Sequence, residues 1–346
     1  MSRTLTYGMV GGGPGAFIGE AHRKAIALDG SARLVAGCFS RSPEKTRALG
    51  EELGLDPERC YADYRDMARA EAQREDGIDF VVVVTPNVTH YEICKAFLEA
   101  GIHVSCDKPL ATDSAQGEEL KQLAQEKGLL FMVTYTYTGH VTAKYIRDLI
   151  RAGEIGVVRT VMAEYPQGWL YSEDDCGGKQ GAWRCDPAQS GRVNCLGDIG
   201  THVENAVSTM TGLKIKRLLA KMDVVVPGRK LDDNDQVLVE YEGEPPASTG
   251  PVSSPSAVTT VYACASTAPR GPSSGTRSGA RRSPSSGRTA SPGPSSGATR
   301  RSLPPRPSTA ASPPDTPRAG WRPWATCTTA LPSAWRPSRP APLRRT

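Results

Sequence analysis

The 346-residue sequence has no apolar run that approaches the length of about 18 residues needed for a membrane span. Its N-terminus, MSRTLTYGMV, lacks the long apolar core of a signal peptide. The nine cysteines form no Cys-x-x-Cys pair, and neither Cys185 nor Cys195 has partners at zinc-site spacing. These absences predict free thiols in a reducing compartment, a cytoplasmic location, no membrane partner and no metal site.

An excess of basic residues is also absent from most of the chain, although the whole sequence carries a net charge of +5. Residues 245–346 contain fourteen arginines, no lysine and one acid, Asp315, so residues 1–244 carry a net charge of −8. Only the C-terminal segment could support nucleic-acid binding, and we expect no nucleic-acid partner.

Up to about residue 240, short apolar runs alternate with amphipathic stretches. The runs TYGMVGGG, ARLVAGCFS, DFVVVVTP, IHVSCDKP and LLFMVTYTY predict strands. The stretches EAHRKAIALDG, SPEKTRALGEELG, THYEICKAFLEAG and SAQGEELKQLAQEKG predict helices. In the second of these, Ser42 is the predicted N-cap, Pro43 lies in the first turn and Gly54 ends the helix. DFVVVVTP has no alternation, which is typical of a strand buried on both faces. The order of elements predicts an α/β fold with a doubly wound parallel sheet in residues 1–135.

A second domain is expected to begin in residues 136–244, and residues 245–346 form a tail with 20 of the 28 prolines. One interpretation of this tail is a disordered Pro/Ser/Arg segment. The other, which we prefer, is a frameshift near residues 243–247 in GC-rich DNA. In the shifted frame, residues 257–272 are compatible with an alternating strand. The nucleotide sequence across codons 240–250 distinguishes the two.

The glycine-rich stretch MVGGGPGAFIG follows a predicted strand and precedes a helix. Gly11, Gly13 and Ala16 fit the pattern G-x-G-x-x-G/A, which allows a tight turn, close approach to a pyrophosphate, and close helix–strand packing. The helix N-terminus at Phe17 and Ile18 then faces the phosphates. The stretch predicts a dinucleotide-binding Rossmann domain; the alternative is a purely structural glycine turn.

The end of the second strand indicates which dinucleotide binds. Ser40 and Arg41 stand where an acid would favour NAD. A hydroxyl and a guanidinium suit a 2′-phosphate, so the cofactor is predicted to be NAD(P), with a preference for NADP. Alternatively, Arg41 is a solvated loop charge.

Polar residues follow the third predicted strand. Thr85, Pro86 and Asn87 lie at its carboxyl end, the edge that lines the ligand crevice in such sheets, and Asn87 is a candidate contact for the cofactor. His90 is included among the cofactor-binding candidates, although a capping or structural role fits it as well.

Asp107 and Lys108 end the next strand at the same edge and, with Thr85 and Pro86, are further candidate contacts for the cofactor. A primary amine there can hold a substrate hydroxyl and favour alkoxide character as hydride leaves. Asp198 and His202 are four residues apart, which on a helix puts them on one face as an oriented acid–base pair. A minor alternative is that Asp198 and His202 form half of a metal site, with Cys195 nearby in sequence.

Aromatic and basic residues occur in a loop between the two domains. Trp169, Lys179, Trp183 and Arg184 are candidate contacts for substrate or cofactor, because aromatic faces stack on sugar rings and arginine binds oxyanions; ordinary loop packing is the alternative. Tyr137, which ends the fifth predicted strand, is a further candidate substrate contact.

Four stretches together resemble the Gfo/Idh/MocA family of NAD(P)-dependent oxidoreductases, which act on sugars, inositols and related polyols: VGGGPGAFIG, TPNVTHYEICKAFLEAGIHVSCDKPLA, TYTYTGH and GDIGTH. The likeness covers about residues 4–243. It implies that Lys108 is the lysine of the family's Glu-Lys-Pro motif and that Asp107 replaces the glutamate of that motif. It also implies that Asp198 and His202 are the catalytic pair, that His202 exchanges a proton with the substrate, and that the peptide before Pro109 is cis.

The resemblance further implies a second domain with an open, mostly antiparallel sheet through which relatives form homo-oligomers. GVVRTVMAEYPQG, KIKRLLAKMDVVVP and NDQVLVEYEG supply its early strands. No strand is predicted after residue 246, so we expect an incomplete sheet, which would compromise such an oligomer.

Three alternatives to a polyol dehydrogenase stay open: an NAD-dependent glycosidase of the same family, a non-enzymatic NADP sensor, and a defective product that only binds cofactor. Net turnover of free cofactor separates the dehydrogenase from all three.

Overall fold

The structure, a computed structural model, describes residues 3–28, 30–170 and 172–242, together with the backbone of a strand at 259–266. All of these residues belong to one compact unit of the chain. Within them, no helix is both long and apolar enough to cross a bilayer.

The N-terminal part contains a five-stranded parallel sheet with the strand order β2-β1-β3-β4-β5. This confirms the predicted α/β fold. Helix α3 was missed by the sequence analysis, and β5 is shorter than predicted. The elements are β1 (Leu5–Gly11), α1 (Phe17–Ala27), β2 (Ala32–Cys38), α2 (Pro43–Glu52), α3 (Tyr64–Gln73), β3 (Phe80–Val84), α4 (His90–Glu99), β4 (His103–Asp107), α5 (Ser114–Glu126) and β5 (Phe131–Thr134).

The central strand β3 is buried at all five positions, as its unalternating sequence predicts. Apolar clusters cover both faces of the sheet, so helices pack on each side. Strand order reverses between β1 and β3, and the crevice at such a point, beyond the carboxyl ends of the strands, is where ligands bind. An isolated parallel bridge from Gly37 to Cys60 extends the sheet beyond β2.

The C-terminal part contains a four-stranded sheet with the order β6-β9-β8-β7, in which only the β6–β9 pair is parallel. The three predicted strands are confirmed as β6, β7 and β8. The elements are α6 (Val141–Arg151), β6 (Met162–Gln167), α7 (Lys179–Cys185), α8 (Pro187–Ser190), α9 (Thr201–Thr211), β7 (Ile215–Asp223), β8 (Asn234–Tyr241) and β9 (Thr259–Ser266).

Strand β9 corrects the expectation that no strand follows residue 246. Its sequence, TTVYACAS, is rich in β-branched residues and contains a tyrosine, which favour a strand. The strand pairs with β6 and β8 although the surrounding sequence is rich in proline, serine and arginine. The rest of the predicted tail, residues 245–258 and 267–346, lies outside the described residues.

One prediction about the cysteines is wrong. Cys176 and Cys185 form a disulfide, with 6.0 Å between their Cα atoms. The 3₁₀ turn Glu173–Gly177 folds against α7 and brings the two residues within bonding range, which their separation in sequence does not reveal. The other cysteines with described side chains form no disulfide: Cys38, Cys60, Cys94, Cys106 and Cys195.

Candidate active site

A cleft of about 1450 Å³ opens at the carboxyl ends of the parallel strands. Every predicted site residue with a described side chain lines this cleft, with the exception of His90, and the side chain of Lys179 lies outside the described residues. The lining residues among those predicted are Gly11, Gly13, Ala16, Phe17, Ile18, Ser40, Arg41, Thr85, Pro86, Asn87, Asp107, Lys108, Tyr137, Trp169, Trp183, Arg184, Asp198 and His202.

The glycine turn leaves no room for side chains. Gly11 has a φ of +87°, and a Cβ there would lie 2.5 Å from the carbonyl oxygen of Val84. A Cβ on Gly13 would lie 2.7 Å from the carbonyl oxygen of Phe39. The turn is therefore a bare backbone cradle that fits a pyrophosphate.

The start of α1 adds to this cradle. Ala16 is the N-cap of the helix and provides no side-chain cap, so the first helical turn is left to the cleft. The packing role of Ala16 stays a prediction. Helix and turn also approach closely at Gly19, where a Cβ would lie 2.3 Å from the Cα of Gly12. The absence of side chains at Gly12 and Gly19 allows the helix to approach the turn.

The wall beside the second strand is basic. The Ser40 hydroxyl accepts a hydrogen bond from the backbone N–H of Ser42 at 3.2 Å, while Arg41 is exposed. Lys45 of α2 lines the same wall and was not predicted. Its position in the first turn of the helix that follows Ser40 and Arg41 was the available signal.

Lys108 reaches across to the second part of the chain from the end of β4. Its Nζ donates a hydrogen bond to the carbonyl oxygen of Asp198 at 2.9 Å and forms an ion pair with the Asp198 carboxylate. Both side chains are largely buried, at 14% and 13% exposure. The Lys108–Pro109 peptide is cis, as the family resemblance implies.

The Asp198 carboxylate is shared between two cations. Its second oxygen accepts a hydrogen bond from Nε of Arg184 at 3.0 Å. Burial acts to raise the pKa of Asp198, but Lys108 and Arg184 outweigh burial and hold the pKa below its usual range. Asp198 is therefore ionised and keeps the Lys108 ammonium fixed in the cleft.

His202 is buried in α9, close to this ion pair. Burial and the charge of Lys108 lower its pKa to about 4, against the opposing effect of Asp198 and Asp107. Its ring is neutral near pH 7, and Nδ1 makes no hydrogen bond to a described residue. A neutral imidazole beside an ammonium group can accept a proton.

The predicted pairing of Asp198 with His202 needs two corrections. Asp198 lies in a π-helical turn, Leu196–Gly200, which precedes α9 and alters the spacing of a regular helix. Its carboxylate binds Lys108 and Arg184, so Asp198 does not orient the imidazole by a direct hydrogen bond.

Aromatic rings lie beside Arg184 and His202, two residues in the C-terminal part of the structure. The Arg184 guanidinium lies 4.9 Å from the ring centroid of Trp169 and 4.3 Å from that of Trp183. Arg184 is thus held by Asp198 and two indoles, and was predicted only as a substrate contact. The Tyr137 ring lies 4.5 Å from that of His202, in an edge-on arrangement.

Tyr165 of β6 is a site residue that the sequence analysis missed. Its hydroxyl lies 2.7 Å from that of Tyr137. Burial, this hydrogen bond and the charge of Asp198 raise the pKa of Tyr137. The alternation of β6 was the signal, because it puts Ala163, Tyr165 and Gln167 on one face.

Asp107 anchors the end of β4. Thr134 donates its hydroxyl proton to Oδ1 of Asp107 at 2.9 Å, and Nε2 of His22 lies 4.0 Å from the same oxygen. Burial acts to raise the pKa of Asp107, but His22 and Lys108 have the larger combined effect and lower the pKa to about 2. The carboxylate is therefore charged.

Asn87 and His90 have partners within the protein. The Asn87 amide donates a hydrogen bond to the carbonyl oxygen of Ser190 at 3.3 Å, although its side chain also borders the cleft. His90 is 1% exposed and lies beneath the cleft, so we expect no direct contact between His90 and a cofactor.

A buried carboxylate holds the segment that carries Asp198. Asp232 accepts hydrogen bonds from the backbone N–H groups of Asn194 and Leu196 at 2.7 and 2.8 Å. Asp232 is distant in sequence from this segment, so the pairing could not be predicted.

Comparisons with known proteins agree with this geometry. Residues 5–135 match an oxidoreductase family with an NAD-binding Rossmann fold, and residues 143–252 match the Gfo/Idh/MocA C-terminal domain. The uncharacterized oxidoreductase YfiI of Bacillus subtilis is 43% identical over 248 residues, which are 70% of this chain and 63% of that protein.

Solved structures give the same result. An inositol dehydrogenase homolog complexed with NAD⁺ from Azotobacter vinelandii is 37% identical, with a TM-score of 0.70, 77% of this chain covered and 66% of that one. An oxidoreductase from Sinorhizobium meliloti is 41% identical, with a TM-score of 0.66, and coverage of 78% and 67%.

The matched region does not extend over the whole of these proteins. The chain spans 63%, 56% and 56% of the length of three curated relatives: YfiI, a dTDP-3,4-didehydro-2,6-dideoxy-alpha-D-glucose 3-reductase from Actinomadura kijaniata, and a levoglucosan dehydrogenase from Pseudarthrobacter phenanthrenivorans. Both domains are nevertheless recognised in sequence and in structure. The chain belongs to the Gfo/Idh/MocA family of oxidoreductases.

Proposed function

We propose that this chain is an NAD(P)-dependent dehydrogenase or reductase that transfers a hydride between nicotinamide and a secondary alcohol or ketone of a sugar, inositol or related polyol. The observation that carries the proposal is the group formed by Lys108, Asp198 and His202 in the same cleft as the glycine turn. An ammonium, a neutral imidazole and a carboxylate are the groups that alcohol oxidation requires beside a hydride acceptor.

Each residue has a separate task in the proposed reaction. Lys108 holds the substrate oxygen and stabilises the negative charge that develops on it. His202, which is neutral, accepts the hydroxyl proton at a ring nitrogen. Asp198 holds Lys108 in place through their ion pair. The bound nicotinamide supplies or accepts the hydride.

The cofactor fits the residues that are present. The bare backbone at Gly11 and Gly13 accommodates a pyrophosphate, and the uncapped start of α1 favours its negative charge. We propose a preference for NADP, because Arg41 and Lys45 line the wall beside the second strand. Among the relatives, scyllo-inositol 2-dehydrogenase IolW of Bacillus subtilis has NADP(+) in its name, whereas the Azotobacter homolog was crystallised with NAD⁺.

A ring-shaped substrate is favoured by the lining of the cleft. Trp169, Trp183 and Tyr137 border it, and aromatic faces stack on sugar and inositol rings. Related structures support the class: the Azotobacter homolog was also solved with NADH and myo-inositol, at 36% identity and a TM-score of 0.68.

Two measurements on the purified chain test the proposal. Quenching of protein fluorescence by NADPH and NADH measures cofactor binding, and the appearance of reduced cofactor with myo-inositol, scyllo-inositol or D-xylose measures oxidation. We expect tighter binding of NADPH and net cofactor turnover with at least one polyol. Binding without turnover of any polyol or sugar would reduce the function to cofactor binding, and absence of binding would overturn the proposal.

A further inference from the structure

His90 lies below the cleft at the start of α4, and its imidazole joins two turns. Nε2 is 2.8 Å from the carbonyl oxygen of Thr85, and Nδ1 is 2.8 Å from the carbonyl oxygen of Pro109. Thr85 follows β3, and Pro109 comes directly after Lys108. The ring therefore links the ends of two neighbouring strands.

The hydrogen bonds of this link depend on which ring nitrogens carry a proton. A carbonyl oxygen only accepts hydrogen bonds, so a facing ring nitrogen must carry a proton to bind it. A neutral imidazole donates to one of the two carbonyls, and an imidazolium donates to both. The pKa of His90 is lowered, and burial is the largest cause. The two carbonyls and Asp107 act in the opposite direction, and Lys108 adds to the lowering.

The link bears on the position of Lys108. The Pro109 carbonyl is one residue away from Lys108, whose side chain must reach Asp198 in the other sheet's domain. On the other side, Thr134 binds the Asp107 carboxylate and ties β4 to β5. Without the His90 ring, the Lys108–Pro109 turn would lose its attachment to β3.

We propose that His90 is a positioning residue for Lys108: its buried ring lies between the Thr85 and Pro109 carbonyls, donates a hydrogen bond to at least one of them, and so holds the Lys108 amine against Asp198. The role in hydride transfer rests on the proposed function, because it acts through Lys108. The tie itself does not depend on that function.

The test compares His90→Gln and His90→Asn with His103→Gln. His103 begins the same strand β4 at its opposite end, where Nδ1 accepts a hydrogen bond from the Leu130 N–H at 3.0 Å. Trace acetylation with acetic anhydride, read by peptide mass spectrometry, measures how accessible the Lys108 amine is. Thermal unfolding and circular dichroism of each variant identify those that retain the native fold.

The expected result is that Lys108 is acetylated about tenfold faster in both His90 variants and at an unchanged rate in His103→Gln, because burial and ion pairing protect the amine. Unchanged acetylation of Lys108 in a folded His90 variant would overturn the proposal. A second measurement uses the wild-type chain, so it does not depend on the folding of any variant. A ¹H–¹⁵N spectrum should show a slowly exchanging ring N–H of His90, and its absence would also overturn the proposal.

Kinetics separate positioning from a general structural role. With a polyol that the wild type oxidises, His90→Gln should lower kcat about 100-fold, as expected for a misplaced group, and leave the NADPH dissociation constant within about threefold. A raised KM with unchanged kcat would contradict the role in catalysis. If the wild type binds NADPH but oxidises no polyol, the proposed function fails, while the acetylation experiment still decides the role of His90.

Discussion

The two sheets bury their residues in different ways. In the parallel sheet, β3 is covered on both faces, and Val81, Val82 and Val83 have no exposed surface. In the second sheet, β8 buries Val237 and Val239 against α9, but its other face is open. There, Leu238 is 46% exposed and its partner on β7, Leu219, is 70% exposed.

This difference matters because the candidate site draws on both sheets' domains. Lys108 projects from the fully buried sheet, whereas Asp198 and His202 belong to the part that packs on only one face of its sheet. We infer that the cofactor half of the site is held by the more strongly stabilised part of the chain. The proposed catalytic pair, Asp198 and His202, depends more on local anchors such as Asp232.

The largest expected effect tests whether the two parts make one site. Lys108→Met should reduce kcat/KM for polyol oxidation by about 1000-fold, because the developing charge on the substrate oxygen loses its cation. NADPH binding, measured by fluorescence quenching, should remain. Lys95→Met is the control, since Lys95 pairs with Glu119 and does not line the cleft, so its loss should not affect activity. A Lys108→Met variant with near wild-type activity would contradict the proposed mechanism.

The next largest effect tests the difference in burial directly. Leu98→Ala, in the fully buried core beside the parallel sheet, should cost about 3 kcal/mol of unfolding free energy. Leu238→Ala, on the open face, should cost less than about 0.5 kcal/mol. Chemical denaturation measures both. Equal costs would mean that the open face is covered in solution, and the comparison between the two sheets would fail.

His202→Asn should lower kcat for alcohol oxidation about 100-fold, because the proton acceptor is lost. The wild-type pH profile provides a second readout. His202 accepts a proton only when neutral, and its pKa is about 4, so kcat/KM should be level from neutral pH to about 5 and fall below about 4. The acidic limb should be missing in His202→Asn. Recovery of activity after return to neutral pH controls for unfolding.

The smallest expected effect is confined to the parallel-sheet domain. Arg41→Ala should raise the dissociation constant of NADPH about tenfold, since a charged hydrogen-bond partner of the 2′-phosphate is lost. The dissociation constant of NADH should not change. Fluorescence titrations with both cofactors measure this, and an equal effect on the two would mean that Arg41 does not read the 2′-phosphate.

Much of the fold followed from local sequence signals. Ser42 and Pro43 predicted the start of α2 and Gly54 its end, and in the structure the Ser42 hydroxyl accepts from the Lys45 N–H while Gly54 has a φ of +68°. The continuous apolar run of β3 predicted burial on both faces. Such signals suffice because a cap, a turn or a strand depends on residues close together in the chain.

The membership of the site was predictable for a related reason. Parallel strands bring their carboxyl ends to one edge, so residues that end separate strands, such as Thr85 and Lys108, converge in one cleft. Which partners these residues bind was decided by the tertiary structure. Arg184 on Asp198, Tyr165 on Tyr137 and the disulfide all join segments whose approach depends on packing. Sequence patterns encode the local conformation of a segment, whereas its distant neighbours are set by how the elements pack around a common core.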